Sequence, residues 1–516
     1  DNLIFRTNSA YTNTDQLAQT FASGVLQEAL GQGQATVSNI TQQNWLIENT
    51  IEYRNTFSDD HDLTLLGGFT AEGTERFNSS SVGLGFSTEV NNFNSLQQAE
   101  NQTVSSGFRD ENLASFLGRI NYSYMDKYLL TLSFRADGSS KFAAENKWAS
   151  FPSAALSWRI SEEDFLRESN VISDLRVRAS YGITGSQAIN PYQSLASLST
   201  IANAYTFGDD IDAVGVGAGR VPNPSLKWET TEQANIGLEL GLFESRINLT
   251  ADVYDKTTKD LLFSRQLPWY SGYSSQTDNI GSMRNRGVEL GLNTINTTGN
   301  FMWTTSANLS LNRNEILDLG PDGLDVFENA IGNLGSGWSQ EHILREGEPM
   351  GSFYGYIFDG IYQNQEEVNA IEHTGASAGS VKLKDLNDDD RITEEDRTII
   401  GDPNPDFIYS LTNEFSYRGF DLNIMVQGSY GNDILNIQKK RLDLIDDEYT
   451  DQNLLTSSND YWRGEGTSNT LQAPGTGRGV VESRYVEDGS YLRLKNVLLG
   501  YNLPSNLVNK MGLQSL

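Results

Sequence analysis

Apolar and polar residues alternate one by one along much of this chain. In "YLLTLSFR", Leu130, Leu132 and Phe134 occupy alternate positions, and threonine, serine and arginine occupy those between them. The same period recurs in "RINLTADVY", "FMWTTSANLSL" and "FDLNIMVQG". Because successive side chains of a strand point to opposite faces of a sheet, this period indicates half-buried antiparallel strands. The pattern predicts about fourteen of them.

The connections between these predicted strands alternate between short and long. We expect short links at residues 58–61, 125–127, 243–245, 297–300 and 417–419. We expect long links at residues 73–111, 185–228, 258–284, 313–404 and 431–488. Loops of such length are uncommon in compact domains and tend to carry function. The alternation is typical of an outer-membrane barrel, which has short periplasmic turns and long extracellular loops.

Alternation alone leaves open which face of the sheet is buried. A large soluble all-β protein, either a sandwich or a propeller, is the alternative to a membrane barrel. Two features favour the barrel: the polar faces are rich in Ser, Thr, Asn and Gly, and aromatic residues gather near strand ends, as in an interfacial girdle. These aromatic groups are Tyr122, Tyr124 and Tyr128; Trp148, Phe151 and Trp158; and Tyr409, Phe415 and Tyr417.

The composition narrows the possible functions. The 516 residues include 37 basic and 68 acidic ones, so the net charge is 37 − 68 = −31, which disfavours nucleic acid as a partner. Cysteine is absent, which removes disulfides, thiolate catalysis and cysteine-based metal sites. Only 37% of the residues are hydrophobic, and no run approaches the ~20 apolar residues of a membrane helix. A barrel of strands needs no such run.

Several long segments carry a family resemblance. They include "LASFLGRINYSYMDKYLLTLSFRADGSSKF" (113–142), "NPSLKWETTEQANIGLELGLFESRINLTADVYDKTTKDLL" (223–262), "DLNDDDRITEEDRTIIGDPNPDFIYSL" (385–411) and "GSYLRLKNVLLGYNLP" (489–504). In these segments the chain resembles the barrel of SusC/RagA-type TonB-linked outer-membrane transporters of Bacteroidetes. The segments are spread along most of the sequence.

The resemblance implies an all-β fold, a transmembrane antiparallel barrel of about 22 strands, of which about fourteen would lie in this chain. It also implies an N-terminal plug, a SusD-like surface lipoprotein as a lid, energy coupling through TonB, and oligosaccharide or oligopeptide as cargo. No plug or TonB box is found in residues 1–516, so we expect a fragment of one transporter barrel, located in the outer-membrane lipid. A passive porin, a siderophore- or vitamin-type receptor and a secreted soluble glycan-binding β protein are the alternatives.

One acidic stretch has the spacing of a calcium loop. In "DLNDDDRITEED" the candidate ligands are Asp385, Asn387, Asp389, the Arg391 carbonyl, Thr393 and Asp396, at positions 1, 3, 5, 7, 9 and 12. Position 6 is Asp390 instead of glycine, and the closing acid is aspartate instead of glutamate. We expect a structural Ca²⁺ that rigidifies the long extracellular loop 313–404. The alternative is a solvated acidic turn.

Aromatic residues in the long loops are candidates for cargo binding, since flat apolar rings can stack on sugars. They are Trp269, Tyr270, Tyr273, Trp338, Tyr354 and Tyr356. Packing within the loops or against the lid protein is the alternative interpretation. Helical spacing in residues 434–447 predicts a short helix in the second long extracellular loop, 431–488, which would pack on a neighbouring loop or dock the lid. The three histidines show no two-histidine metal spacing and no GxSxG motif is present, so we expect no enzyme.

Overall fold

A computed structural model describes residues 2–25, 32–58, 60–207, 211–320, 323, 325–328, 340–443, 445, 453–476 and 480–503. The side chains of residues 201–207, 211–214, 269 and 441 lie outside this description. The chain divides into two compact units. Unit 1 comprises residues 1–158, 180–232 and 258–280, and unit 2 comprises residues 159–179, 233–257 and 281–516.

Strands dominate both units. Their bounds are β1 Leu3–Ala22, β2 Gln34–Phe57, β3 His61–Phe86, β4 Ala99–Tyr124, β5 Tyr128–Ser139, β6 Trp148–Arg159, β7 Ile172–Ser186, β8 Ser197–Phe207, β9 Ile211–Arg220, β10 Glu229–Leu242, β11 Ile247–Lys259, β12 Leu262–Gln266, β13 Ser275–Asn279, β14 Ser282–Thr297, β15 Phe301–Asp318, β16 Val326–Glu328, β17 His342–Leu344, β18 Ser352–Gly355, β19 Phe358–Ile361, β20 Val381–Leu383, β21 Thr398–Gly401, β22 Phe407–Tyr417, β23 Phe420–Tyr430, β24 Asp433–Leu435, β25 Val486–Asp488 and β26 Tyr491–Tyr501. The α-helices are α1 Gln365–Asn369 and α2 Ile437–Asp443.

Fourteen of these strands form one large antiparallel sheet, as the alternation predicted. Its order is β1-β2-β3-β4-β5-β6-β7-β10-β11-β14-β15-β22-β23-β26, so each strand pairs with its nearest sheet neighbours along the chain. The other strands belong to small sheets within the long connections. β8 and β9 have 11 and 10 residues, and the rest have three to five. In the described residues, no helix has the length and apolar character needed to cross a membrane.

The predicted short links are confirmed at all five places. One predicted long link, 73–111, is wrong over most of its length, because β3 continues to Phe86 and β4 starts at Ala99, and both strands are 26 residues long. The remaining long links occupy 187–228, 260–281, 319–406 and 431–490. Since successive strands run antiparallel, the short and long links leave them at opposite ends.

In the unit 1 part of the sheet, the pattern of exposed and buried side chains is opposite to that of a soluble protein. Along β6 the exposed side chains are Trp148, Leu156 and Trp158, whose exposed fractions are 54%, 54% and 38%. On the opposite face, Ser115 of β4 and Ser139 of β5 are each only 1% exposed. A soluble sheet covers its apolar side chains and leaves the polar ones in water. Here large apolar side chains are exposed on one face, while Ser115 and Ser139 on the other face are buried.

Exposed aromatic rings form two rows on this apolar face. Phe116 lies between Phe69 and Trp148, with ring centroids 5.1 and 6.0 Å away. Tyr128 lies between Tyr124 and Trp158, at 6.3 and 6.2 Å. Along β4 the rows are 124 − 116 = 8 residues apart, about 27 Å at ~3.4 Å per residue. After a strand tilt of ~40° this is about 20 Å of height, on the scale of the ~25 Å apolar band of outer-membrane barrels.

Candidate functional site

The polar face of unit 1 carries a hydrogen-bonded wall. Arg135 Nε donates to both Asp137 carboxylate oxygens at 2.7 and 2.9 Å, and Arg135 Nη2 donates to Ser115 Oγ at 3.0 Å. Ser139 Oγ donates to Gln187 Oε1 at 2.5 Å. Asp137 is only 7% exposed, and the bifurcated hydrogen bond from Arg135 Nε compensates for the burial of its carboxylate. A polar wall of this kind suits a wet interior.

An aromatic cluster covers part of the same wall. Phe142, Phe151, Leu226 and Trp228 are all buried and in contact. The Trp228 ring lies 5.0 Å from Phe142 and 5.5 Å from Phe151, measured between centroids. The sequence placed Phe151 in the girdle with Trp148 and Trp158, which is wrong. Side chains at odd and even positions of β6 point to opposite faces of the sheet. Phe151 is at an odd position and both tryptophans are at even ones, so its ring points to the polar face.

A groove of about 310 Å³ lies beside this wall. Its polar lining includes Thr12, Asn44, Glu72, Thr74, Glu111, Lys141 and Gln187. Lys141 Nζ lies 3.0 Å from Glu111 Oε2, and Thr74 Oγ1 donates to Asn44 Oδ1 at 2.9 Å. Hydroxyls, amides, the Lys141–Glu111 ion pair and the Glu72 carboxylate can exchange hydrogen bonds with a polar solute without holding it irreversibly.

Unit 2 has a polar face of its own, and it is more strongly charged. Arg178 lies 3.2 Å from Glu239 and 3.1 Å from Asp252, measured between nitrogen and oxygen. A side chain at Gly237 would come within 3 Å of both Arg178 and Asp252, so glycine leaves room for this pair. On the apolar face of the same strands, Ile236 is 63% exposed and Val253 is 56% exposed. Both units therefore expose their apolar faces.

The two longest connections, 319–406 and 431–490, pack together into a layer with its own small core. Ile437 at the start of α2 is buried against Val481 and Tyr485. A second cluster includes Ile361 and Val381. The helix predicted in 434–447 is confirmed as α2, which begins at Ile437, after strand β24, and Ile437 packs on a neighbouring loop segment. We call these two connections the loop layer.

A fully buried acid lies inside the loop layer. Glu482 is 0% exposed and binds Arg484, whose guanidinium also donates to Gln472 Oε1 at 3.2 Å. Burial raises the pKa of the Glu482 carboxyl, and Arg484 opposes that rise. The Arg484 guanidinium also lies 4.5 Å from the Phe358 ring. The pair therefore joins the two connections through charge and packing.

The loop aromatic residues proposed for cargo binding have different surroundings. Tyr270 is 91% exposed in unit 1, near the half-buried Tyr273. Trp338 and the side chain of Trp269 lie outside the described residues. In unit 2, Tyr354 and Tyr356 are only 7% and 9% exposed. The Arg397 guanidinium lies 4.5 Å from the Tyr354 ring, and Tyr356 packs in the core of the loop layer. Neither of these two rings presents a free face to a sugar.

The acidic loop 385–396 forms a tight turn stabilised by its own carboxylates. Asp385 accepts backbone N–H groups from Asn387, Asp388 and Asp390 at 2.8 to 3.2 Å. Asp389 Oδ1 accepts the Arg391 N–H at 2.9 Å. Asp390 takes a φ of +59°, at the position where a calcium loop usually has glycine. Hydrogen bonds within the turn also join Asn387 to Asp385 and to Asp389.

Asp396, the expected closing ligand, has a different role in this structure. It is 0% exposed, and its two oxygens accept the N–H groups of Leu386 and Thr393, both at 2.8 Å. Thr393 in turn caps the short 3₁₀ turn that contains Asp396. In the described part of the chain, no group of three or more His, Cys, Asp or Glu residues has metal-binding geometry. The loop supplies oxygen donors, but Asp396 ties the ends of the loop together.

Sequence reasoning missed the ion pairs of the polar faces. Arg176 and Arg178 alternate on β7 and face Glu239 on β10, with Arg176 3.4 Å from that carboxylate. The signal was present in "RVRAS", where two charged residues share one face of a strand. This alternation of charged residues did not predict ion pairs, because charged residues at every second position are equally compatible with a solvated surface.

These features together define the class of protein. A large antiparallel sheet with exposed apolar faces, aromatic rows, short links at one strand end and long ones at the other is the construction of an outer-membrane β-barrel protein.

The family follows from comparison with known proteins. Residues 1–514 match the family model described as TonB dependent receptor-like, beta-barrel, and the chain belongs to this family of outer-membrane proteins. It is 38% identical to TonB-dependent receptor P3 of Formosa agariphila over 100% of this chain and 51% of that protein. It is 33% identical to TonB-dependent receptor SusC of Bacteroides thetaiotaomicron over 76% of this chain and 38% of that protein.

A solved structure shows the same fold. The RagAB peptide importer in its "closed-closed" state matches with a TM-score of 0.79 and 25% identity, over 98% of this chain and 54% of that one. The chain thus spans about half the length of the relatives that it matches. The SusC/RagA resemblance and the barrel fold expected from the sequence are confirmed.

Proposed function

We propose that this chain forms most of the barrel wall and the extracellular loop layer of a TonB-dependent importer. In the intact protein, a SusD-like lipoprotein would cover the loops, and TonB would supply energy from the inner membrane. The cargo would be an oligosaccharide or an oligopeptide. The family match is to receptors, and we propose no catalytic activity.

The observation that best supports import is the pairing of a polar wall with an exposed apolar face. Ser115 and Asp137 are covered on one side of the sheet, while Phe116 and Phe134 are 53% and 52% exposed on the other. A lipid-facing exterior and a wet interior are what the passage of a polar cargo requires. The structure named RagAB peptide importer supports oligopeptide cargo. Oligosaccharide cargo is what the SusC/RagA resemblance of the sequence implies.

Uptake by cells tests the proposal. A strain that lacks the intact protein should lose uptake of its cargo. A strain that lacks TonB should lose it equally, because TonB would supply the energy for import, whereas a passive porin needs no TonB. A SusD-like lipoprotein should co-purify with the intact protein in detergent. Uptake that persists without TonB would indicate a porin, and co-purification of no lipoprotein would favour a siderophore- or vitamin-type receptor.

We also propose that loop 385–396 binds a structural Ca²⁺. Asp385, Asn387 and Asp389 would supply oxygen ligands, and their mutual repulsion would be relieved by the cation. Chelation with EGTA should raise the rate of proteolysis within residues 380–400, and excess Ca²⁺ should reverse the effect. Asp389→Ala should remove the response to Ca²⁺. Cleavage that is equal with and without EGTA would identify a solvated acidic turn.

A further inference from the structure

Two arginines stand directly opposite each other on β3 and β4. Arg76 pairs in register with Arg109. Among the described residues neither forms an ion pair, and Arg109 Nη1 makes only a 3.3 Å hydrogen bond to Asn190 Oδ1. Like charges at directly opposed positions, with Cβ atoms ~5 Å apart, destabilise a sheet. This arrangement is unexpected in a chain with a net charge of −31.

Both arginines belong to the polar face of unit 1. The β3–β4 register runs without a shift from His61–Tyr124 to Leu84–Asn101, so parity along β4 fixes the face. Arg109 shares its parity with the buried Ser115 of the polar wall. The next pair in register, Phe77 and Phe108, points to the apolar face and is 47% and 60% exposed.

The arginines lie in a row that continues across four strands. Arg76 pairs with Gln42 on β2, and Gln42 pairs with Thr14 on β1. Two residues along each strand, towards the short links, lie Thr12, Asn44, Thr74 and Glu111, which line the 310 Å³ groove. Two cations, an amide and a hydroxyl therefore stand in one row at the long-link side of this polar groove.

The acids nearby do not neutralise this pair of cations. Glu75 and Asp110, the sequence neighbours, pair with each other in register and therefore point to the apolar face. Glu111 shares the polar face with Arg109, but Lys141 already holds it at 3.0 Å. An anion between the two guanidiniums would relieve their repulsion and accept bidentate hydrogen bonds from them.

We propose that Arg76 and Arg109 bind an oxyanion of the cargo, either a sulfate ester or a carboxylate, on an acidic oligosaccharide. The hydroxyl and amide groups in the row and the groove complement sugar hydroxyls, which favours a sugar over a peptide. This inference rests on the proposed import function and specifies its cargo class.

Selenate tests the anion site directly, because selenium gives an anomalous signal. Crystals of the intact protein soaked in selenate should show a peak between the two guanidiniums. The peak should be absent in the double variant Arg76→Gln/Arg109→Gln. The double variant Arg76→Lys/Arg109→Lys keeps both charges and should show a weaker peak. Absence of a wild-type peak would overturn the proposal.

Binding of oligosaccharides by the purified intact protein tests the role in cargo recognition. The probes are a sulfated galactan hexasaccharide, its desulfated form and hexagalacturonate. The wild type should bind one or both charged probes about tenfold or more tightly than the desulfated sugar, since two charge-assisted hydrogen-bonding groups are added. The double Gln variant should lose this preference and still bind the desulfated sugar as before.

Arg6→Gln is the matched control, because Arg6 lies on the same polar face but has a carboxylate partner in Glu52, 3.8 Å away. This variant should keep the preference for charged probes. A selenate peak without charge-dependent sugar binding would mean an adventitious ion only. An acidic hexapeptide serves as a fourth probe. If the double Gln variant loses binding of this peptide alone, the arginines belong to peptide cargo and the sugar assignment is overturned.

The two proposals can fail separately. If TonB-dependent uptake is intact and the arginine variants change neither the selenate peak nor the charge preference, only the anion site is wrong. If uptake needs no TonB, the import proposal is wrong, and the selenate and binding results still decide whether the site exists.

Discussion

Replacing Leu132 with arginine should prevent most of the intact protein from assembling in the outer membrane. Leu132 pairs with Ile120, midway along β4 between the aromatic rows at Phe116 and Tyr124, and it is 40% exposed on the apolar face. A lipid-facing arginine at the bilayer midplane costs about 2–4 kcal/mol. The intensity of the heat-resistant folded band on SDS gels should decrease. The urea concentration at the midpoint of unfolding in lipid vesicles should also decrease.

Thr131→Arg is the matched control for this substitution. Thr131 is the sequence neighbour of Leu132, and its hydroxyl donates to Asn121 at 3.0 Å on the polar face. An arginine there reaches water, so assembly should stay near the wild-type level. If Thr131→Arg blocks assembly and Leu132→Arg does not, the sheet has the opposite orientation and the barrel assignment fails.

The contrast between these neighbours shows what the sequence could predict. Within the membrane band every second residue of β5 and β6 must suit lipid, so Leu130, Leu132 and Leu156 mark one face unambiguously. Beyond the band both faces of a strand meet water, and the constraint disappears. The segment "ERFNSSSVGLGF" of β3 therefore resembled a loop, and the predicted link 73–111 was wrong for this reason.

The functional residues were harder to predict than the strands. Parity alone excludes Phe151 from the girdle, but Arg76 and Arg109 become neighbours only once the β3–β4 register is known. Tyr354 and Tyr356 resembled cargo-binding rings because loop sequences do not reveal that two distant connections share a core. Trp462 and Val381, for example, are far apart in sequence and belong to one cluster.

Removing Arg484 should open the loop layer, because the fully buried Glu482 would lose the guanidinium that it binds directly, and Lys440 would be left as the other cation that acts on its carboxylate. Removing one partner of a buried ion pair lowers the free energy of unfolding by about 3–5 kcal/mol. We expect Arg484→Ala to lower hydrogen-exchange protection by about a hundredfold or more in peptides covering residues 352–361 and 470–485. The backbone bonds between Tyr356 and the segment at Val481 and Ser483, at 2.8 and 3.0 Å, should show the effect first.

Arg463→Ala provides the control. Arg463 is an exposed arginine of the same connection that stacks on Tyr461 at 4.4 Å and donates to the Asn459 carbonyl, so its loss leaves no buried charge. Its variant should keep wild-type protection. Adding Glu482→Gln to Arg484→Ala should restore part of the protection, since the buried charge that lost its direct partner is then gone. Equal protection in the two single variants would show that the buried pair does not hold the layer.

The burial of Glu482 should also make the stability of the loop layer depend on pH. Burial raises the pKa of Glu482 above its ordinary value of 4.5, so the folded layer holds the proton more tightly than the open one does. The stabilisation is complete below the ordinary pKa and is lost as the pH rises through the folded pKa. Protection factors, corrected for intrinsic exchange at each pH, should therefore fall with rising pH. Without Arg484 the folded pKa lies higher still, so the decline should extend to higher pH, and in Glu482→Gln it should vanish.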